Sequence, residues 1–150
     1  MSFKKLILIT LLASFVSTQS YGATTQEIKQ QIISQSKAMG VDPAIMLSIA
    51  KTESGFRQEA IGASGTVGVF QILPSTAKGF GYDPYKLDDN IKCGITYYRN
   101  LYKMFGSTEK AVAAYNAGSG AVKRCNCVPS YSQKFVNKIM ADYNYFKSNL

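Results

Sequence analysis

The strongest candidate for chemistry in the sequence is Glu53, a carboxylate at the end of an apolar stripe. Met46, Ile49 and Ala50 follow the spacing of one helix face, and Glu53 takes the next position on that face. Partial desolvation and the negative end of the helix dipole both favour a protonated carboxyl there. An acid that stays protonated near neutral pH can act as a general acid. The alternative is a Glu side chain that points to solvent at a frayed helix end.

Because the sequence has no histidine, any acid–base chemistry must come from carboxylates, Tyr, Lys or Cys. The same absence excludes a Ser-His-Asp triad, a Cys-His pair and a His-ligated metal. Without paired cysteines of the zinc type, we expect no metal site and no cofactor. Eight of the nine acids have a structural or solvated position available, at helix starts, in turns or among polar neighbours. These eight are Glu27, Asp42, Glu59, Asp83, Asp88, Asp89, Glu109 and Asp142.

The composition predicts one globular domain with a basic surface. The chain has 150 residues, of which 46% are hydrophobic and 17% are charged, so it can form a real core. Fifteen Lys and Arg residues follow residue 22, against nine acids. This balance suits adhesion to an acidic polymer such as a cell wall, or to an anionic membrane surface. Nucleic acid is not the expected partner of an exported protein.

Residues 1–22 are typical of a secretory signal peptide, which leaves residues 23–150 as the domain. Lys4 and Lys5 precede an apolar run, residues 6–16, that is too short to span a bilayer comfortably. Small residues at Ser20 and Gly22 place the cleavage after Gly22, with cleavage after Ala23 as the alternative. No Cys follows the run, so we expect no stable membrane anchor after cleavage. The predicted location is the periplasm or cell envelope.

Periodicity and capping residues predict a mainly α fold. The helix that carries Glu53 begins at Asp42-Pro43, is amphipathic and stops at Gly55. Residues 67–73 are short and apolar and fit either a buried strand or a buried helical turn. Asp88 is the expected N-cap of the helix over residues 89–105. The other predicted helices cover residues 24–39, 74–78, 89–105, 107–115 and 130–147.

The three cysteines allow one disulfide and leave one thiol over. Export makes a disulfide possible. A bridge between Cys125 and Cys127 would close a short and usually strained loop. We therefore favour a structural bridge from Cys93, with its partner left open between the other two.

Two further segments are compatible with a ligand site. Gln71 lies between Phe70 and Ile72, and a buried amide needs either backbone partners or a polar ligand. The segment Tyr115-Asn116-Ala117-Gly118 breaks a helix, where it can expose backbone groups or simply form a C-terminal cap.

Taken together, three motifs resemble the lytic transglycosylase domain of the soluble-lytic-transglycosylase type. They are Glu53-Ser54, Gly68-Val69-Phe70-Gln71-Ile72 and Ala114-Tyr115-Asn116-Ala117-Gly118, in this order. The similarity runs from about residue 32 to residue 140, and goose-type lysozymes are more distant relatives. It implies a lysozyme-like, mainly α fold with a groove for peptidoglycan glycan strands.

The resemblance also implies an activity and a set of site residues. The implied reaction cleaves the β-1,4 bond between N-acetylmuramic acid and N-acetylglucosamine and leaves a 1,6-anhydro ring, with Glu53 as the sole catalytic acid. Ser54 supports that acid. The implied substrate-binding set, in which residues 68–70 wall the groove, is Ser54, Gly68, Val69, Phe70, Gln71, Tyr115, Asn116, Ala117, Tyr131 and Phe135.

Phe135 departs from the family pattern, which has a Tyr that contacts the catalytic acid. Tyr131, one turn earlier, is the candidate replacement. The alternatives to a transglycosylase are a hydrolytic goose-type muramidase and a non-catalytic glycan-binding assembly factor. Similarity to small specialised transglycosylases implies a protein that opens the wall for a secretion, conjugation or pilus apparatus, and general wall turnover is an equal alternative. We expect a monomer.

Overall fold

The structure, a computed structural model, describes residues 22–150, so the predicted signal peptide lies outside the described residues except for Gly22. Within this range the chain forms seven α-helices and one 3-10 helix, Ser130–Ser132. Across residues 22–150, no helix is both long and apolar enough to cross a membrane. The α-helices are α1 Thr25–Ala38, α2 Pro43–Glu53, α3 Pro74–Phe80, α4 Leu87–Phe105, α5 Thr108–Ala117, α6 Ser119–Cys125 and α7 Gln133–Asn149.

Local capping sets the start of α2 where the sequence predicts it. The Asp42 carboxylate accepts a hydrogen bond from the Ala44 N–H at 3.0 Å, and Pro43 is the first helical residue. The prediction for Asp88 is wrong: α4 begins at Leu87, and Asp88 lies in its first turn. The Asp88 carboxylate instead binds the side chains of Gln35 and Lys92.

The helix α2 is the centre of the domain rather than an amphipathic surface helix. All seven residues from Ala44 to Ala50 are buried, because α1 and α7 pack against it. A helix that is apolar all round belongs in a core. The remaining core is built by α4 packing on α5, and α5 in turn on α6 and α7. Only the two ends of α2 reach the surface, with Asp42 at one end and Glu53 at the other.

Residues 67–72 form a tight turn, so neither the predicted strand nor the predicted helical turn is correct. Val67 and Ile72 exchange backbone hydrogen bonds of 2.9 and 3.0 Å, which brings the two ends of the segment together. Gly68 has a φ of 78° and Gln71 a φ of 48°, both in the left-handed region. We call this segment the 67–72 turn. Fully buried Asn90 holds it, accepting from the Phe70 N–H at 3.0 Å and donating to the Val67 carbonyl at 2.9 Å.

The expected disulfide from Cys93 is wrong. Cys93 is a free thiol, fully buried in the core on α4. Cys125 and Cys127 are bridged to each other, with their Cα atoms 5.1 Å apart, at the exposed end of α6. The physical reason is separation: the Cys93 side chain packs among apolar residues, whereas the other two lie on the surface.

The variant Gly94→Ala tests the packing behind the 67–72 turn. A Cβ atom at Gly94 would overlap the buried ring of Phe70. We expect the variant to lose about 1–3 kcal/mol of unfolding free energy, although Ala favours a helix over Gly by about 1 kcal/mol. Urea denaturation measures this. The control is Gly79→Ala on α3, which has no atom within 4 Å and should be at least as stable as the wild type. A Gly94→Ala protein of wild-type stability would contradict the packing.

Candidate active site

Glu53 lines a surface cleft together with other residues that the sequence singles out. The cleft has a volume of about 310 Å³ and lies between the end of α2, the loop before α3, and the helices α4 and α5. Among residues 22–150, Glu53 is the one acidic residue that lines it. The full lining is Glu53, Ser64, Thr66, Gln71, Ile72, Leu73, Thr76, Tyr97, Tyr115 and Asn116.

The environment of Glu53 favours its protonated form. The side chain is half-buried at the C-terminal end of α2. Burial raises the pKa of Glu53 from its ordinary value near 4.5 to about 7, because a desolvated carboxylate is costly. The positive charge of Lys138 opposes this rise and lowers the pKa. At neutral pH the carboxyl is therefore present in both protonation states, as a group that must give and later accept a proton requires.

Lys138 and Tyr97 belong to this environment, although no sequence pattern indicates either. Lys138 comes from α7, far from Glu53 in the chain, so the apolar stripe of α2 gives no signal for it. Tyr97 lines the cleft and packs against Tyr115, with ring centroids 5.0 Å apart and planes at 54°. Helical periodicity assigns the neighbouring Tyr98 to the core and gives no signal for Tyr97. Only the packing of α4 on α5 identifies it.

Ser54 supports the site from behind. It is buried, and its hydroxyl donates to the Val69 carbonyl at 2.8 Å while accepting from the Arg57 N–H at 3.0 Å. Ser54 therefore fastens the end of α2 to the 67–72 turn and does not line the cleft. Its implied contact with the substrate stays a prediction.

Gly68, Val69 and Phe70 also lie behind the cleft surface. All three are buried, and the Val69 N–H donates to the Gln58 side chain at 3.3 Å. The Tyr115 hydroxyl donates to the Phe70 carbonyl at 2.9 Å. These residues form the backing of the wall, while Ile72 and Leu73 form its surface.

The Gln71 amide is held by the protein itself. Its oxygen accepts from the Thr66 hydroxyl at 2.7 Å, and its NH₂ group donates to the carbonyls of Ala60 at 3.1 Å and Gly68 at 3.0 Å. Of the two alternatives for this residue, the structure provides the backbone partners. Gln71 lines the cleft and keeps the preceding loop folded against the turn.

Tyr115 and Asn116 bring two polar groups to the opposite wall. Burial, and next the negative charge of Glu53, raise the pKa of Tyr115 well above its ordinary value, so its hydroxyl stays protonated. Asn116 is exposed, and its carbonyl oxygen accepts from the Ser132 hydroxyl at 3.0 Å. The Asn116 NH₂ group makes no hydrogen bond to residues 22–150, which leaves it to donate to a ligand.

The structure separates Tyr131, Phe135 and Ala117 from the cleft lining. Tyr131 is 70% exposed and lies beside the disulfide and Arg124, apart from the residues that line the cleft. The 3-10 helix instead directs Ser132 toward α5. Phe135 is half-buried and packs against the core, and Ala117 is half-buried at the end of α5.

Comparison with protein-family models identifies the region around this cleft. The model described as "Transglycosylase SLT domain" matches residues 30–134, most of the described chain.

Among residues 22–150, no three His, Cys, Asp or Glu side chains are grouped so as to hold a metal ion.

Curated relatives are similar over the same region. A membrane-bound lytic murein transglycosylase C of Glaesserella parasuis serovar 5 (strain SH0165) is 34% identical over 110 residues, which cover 59% of this chain and 30% of the relative. A protein of the same name from Haemophilus influenzae (strain PittEE) is 33% identical over 105 residues, with coverages of 57% and 29%. The chain thus spans less than a third of the length of these relatives.

Solved structures confirm the expected mainly α, lysozyme-like fold. An inactive mutant of the lytic transglycosylase Slt from Pseudomonas aeruginosa matches with a TM-score of 0.72 and 21% identity, over 81% of this chain and 24% of that one. The 70 kDa soluble lytic transglycosylase of Escherichia coli matches with a TM-score of 0.68 and 25% identity, with coverages of 79% and 24%.

Titration of Glu53 tests the electrostatics of the cleft. We expect the carboxyl to titrate near pH 7, followed by NMR of the side-chain carboxyl carbon. In a Lys138→Gln variant the pKa of Glu53 rises further, because the neighbouring positive charge that favours the carboxylate is gone. Lys134→Gln, one turn earlier on α7, is the matched control and should leave the titration unchanged. An ordinary pKa for Glu53 would show that the carboxyl is hydrated rather than half-buried.

Proposed function

The chain belongs to the transglycosylase SLT domain family, and on that premise we propose that it is a peptidoglycan lytic transglycosylase. Its substrate is the β-1,4 bond between N-acetylmuramic acid and N-acetylglucosamine. The observation that carries the proposal is the lone acid of the cleft: Glu53 is half-buried, has a raised pKa and has no second carboxylate beside it among residues 22–150.

In the proposed mechanism Glu53 acts first as an acid and then as a base. The protonated carboxyl donates its proton to the glycosidic oxygen as the bond from that oxygen to the anomeric carbon breaks. The resulting carboxylate accepts the proton of the muramoyl 6-hydroxyl, and the oxygen of that hydroxyl bonds to the anomeric carbon. The products are a free 4-hydroxyl on N-acetylglucosamine and a 1,6-anhydro-muramoyl end. Glu53 recovers its proton and no water is consumed.

A single carboxylate favours this reaction over hydrolysis. A conventional glycosidase uses two acids about 5–9.5 Å apart, the second as nucleophile or as base for water. An internal hydroxyl nucleophile removes the need for the second acid. The goose-type muramidase is the alternative enzyme, and an assembly factor that only binds glycan is the alternative outside the enzymes. The raised pKa of Glu53 supports catalysis rather than binding alone.

The other cleft residues suit a sugar ligand. We propose that the Asn116 NH₂ group donates to an N-acetyl or hydroxyl oxygen of the glycan. The rings of Tyr97 and Tyr115 give an apolar face at the same wall, in a chain that has no Trp. Gln71 and the buried residues 68–70 keep that wall in place.

The similar proteins named membrane-bound lytic murein transglycosylase C support a place in the cell envelope. We propose that residues 1–22 direct export to the periplasm, where the domain acts as a monomer and opens the wall locally for a secretion, conjugation or pilus apparatus.

N-terminal sequencing of protein recovered from the periplasm tests the export. Recovery only from the cytoplasm, with an uncleaved N-terminus, would overturn it.

Product analysis tests the reaction. Mass spectrometry of peptidoglycan digested by the wild type should find 1,6-anhydro-muramoyl ends. The Glu53→Gln variant, which cannot donate a proton, should lose at least about 100-fold in rate, the typical contribution of a general acid. Glu59→Gln, an exposed acid in the loop after α2, is the control and should retain activity. Reducing ends without anhydro rings would favour the muramidase, and unchanged lysis by Glu53→Gln would exclude Glu53 as the acid.

The pH profile tests whether the protonated form of Glu53 is the active one. The rate at limiting substrate should fall as the pH rises through about 7, because the carboxyl loses its proton over that range. Lys138→Gln should move this upper limb to higher pH, in step with the raised pKa. A profile that stays flat through pH 8 would contradict the acid role.

A further inference from the structure

A second cavity lies at the opposite end of α2. Its volume is about 610 Å³, and it surrounds Asp42, whereas the cleft surrounds Glu53. The 11 residues of α2 separate the two ends by about 16 Å. The two cavities share no lining residue. A ligand in the second cavity would therefore be distinct from the glycan in the cleft.

Two cations on the cavity wall have no ionic partner among residues 22–150. Arg99 and Lys103 lie one turn apart on α4 and both line the cavity, and neither forms a salt bridge within that range. Arg99 is half-buried, and its Nε atom is shielded from solvent without a hydrogen-bond acceptor. A ligand in the cavity would meet the terminal guanidinium nitrogens of Arg99 rather than this shielded Nε, and these nitrogens make no hydrogen bond to residues 22–150. They would be stabilised by an oxyanion.

The one acid that lines the cavity is already neutralised. The Asp42 carboxylate binds Lys147, accepts from the Tyr143 hydroxyl at 3.0 Å and caps α2 through the Ala44 N–H. Burial raises the pKa of Asp42, but these contacts outweigh it and the pKa is lowered overall, so the group stays ionised and paired. The local balance therefore remains positive. The N-terminus of α5, where Thr108 lines the cavity, adds to it.

The remaining surface of the cavity is apolar and aromatic. Ile45 and Val41 are buried residues at its base. Tyr98 and Tyr102 stack with centroids 6.3 Å apart and planes at 28°, and Tyr102 is 46% exposed. A free phosphate ion would use only the cations, whereas a small apolar group that carries an oxyanion would use the whole surface. The volume falls within the roughly 300–1,000 Å³ typical of small-molecule sites.

We propose that this cavity binds the C-terminal carboxylate of a short peptide with small apolar side chains, such as a peptide stem of peptidoglycan. The carboxylate pairs with Arg99 and Lys103, and the side chains lie against Ile45 and the Tyr102 ring. The binding follows from the cavity alone, and only its assignment to peptidoglycan stems rests on the proposed function. The site would hold the enzyme on a stem while Glu53 acts on a glycan bond.

Calorimetric titration with acetyl-D-alanyl-D-alanine tests the site in the residue 23–150 chain. We expect millimolar or tighter binding, absent for the same peptide with a C-terminal amide. Arg99→Gln should weaken binding at least about tenfold, because it removes both the charge and the fork of donors. Arg99→Lys, which keeps only the charge, should bind with an affinity between those of the wild type and Arg99→Gln. Arg124→Gln, an exposed Arg on α6, is the control and should bind as the wild type does.

The outcomes distinguish this proposal from the enzymatic one. Glu53→Gln should bind the peptide normally even when it is inactive on peptidoglycan. Equal affinity for the peptide and its amide, or unchanged affinity in a folded Arg99→Lys protein, would overturn the proposal. So would an affinity for inorganic phosphate equal to that for the peptide, since the site would then recognise any oxyanion.

Discussion

The half-burial of one carboxyl at the end of a fully enclosed helix is the constraint on which the site depends. Seven consecutive buried residues fix α2 in the core, and its last residue, Glu53, must then lie at the border of the core and the cleft. The cost of desolvating its carboxylate raises its pKa to about 7. The folded chain therefore binds a proton more tightly than the unfolded chain. The stability linked to Glu53 is greatest below pH 4.5 and declines as the pH rises toward 7.

The position of Glu53 relative to the cleft wall is set by a network that converges on the 67–72 turn. Ser54 contributes a hydrogen bond from the end of α2, Asn90 from α4 and Tyr115 from α5. Each hydrogen bond is made to a backbone group of residues 67–70, so the same short segment holds the three helices in position. Buried networks of this kind are rigid when all their members are paired. The turn can thus face the cleft through Gln71 and Ile72 without being exposed itself.

The other end of α2 shows the opposite electrostatic arrangement. Asp42 is ionised and paired, while the cavity beside it has an excess of positive charge from Arg99 and Lys103. The same helix thus joins an acid with a raised pKa to a cavity with an excess of positive charge. Because α2 is buried along most of its length, it sets the distance between the two sites.

The sequence by itself determined those features that neighbouring residues control. Asp42-Pro43 and Gly55 set the bounds of α2, the apolar spacing identified Glu53, and the three motifs in order identified the family. Residues distant in the chain decided the rest. The charge of Lys138, the ring of Tyr97 and the free thiol of Cys93 depend on how α4, α5 and α7 pack. The 67–72 turn likewise forms because buried Asn90 offers it hydrogen bonds. Capping and periodicity act within a few residues, whereas desolvation and side-chain pairing exist only once helices meet.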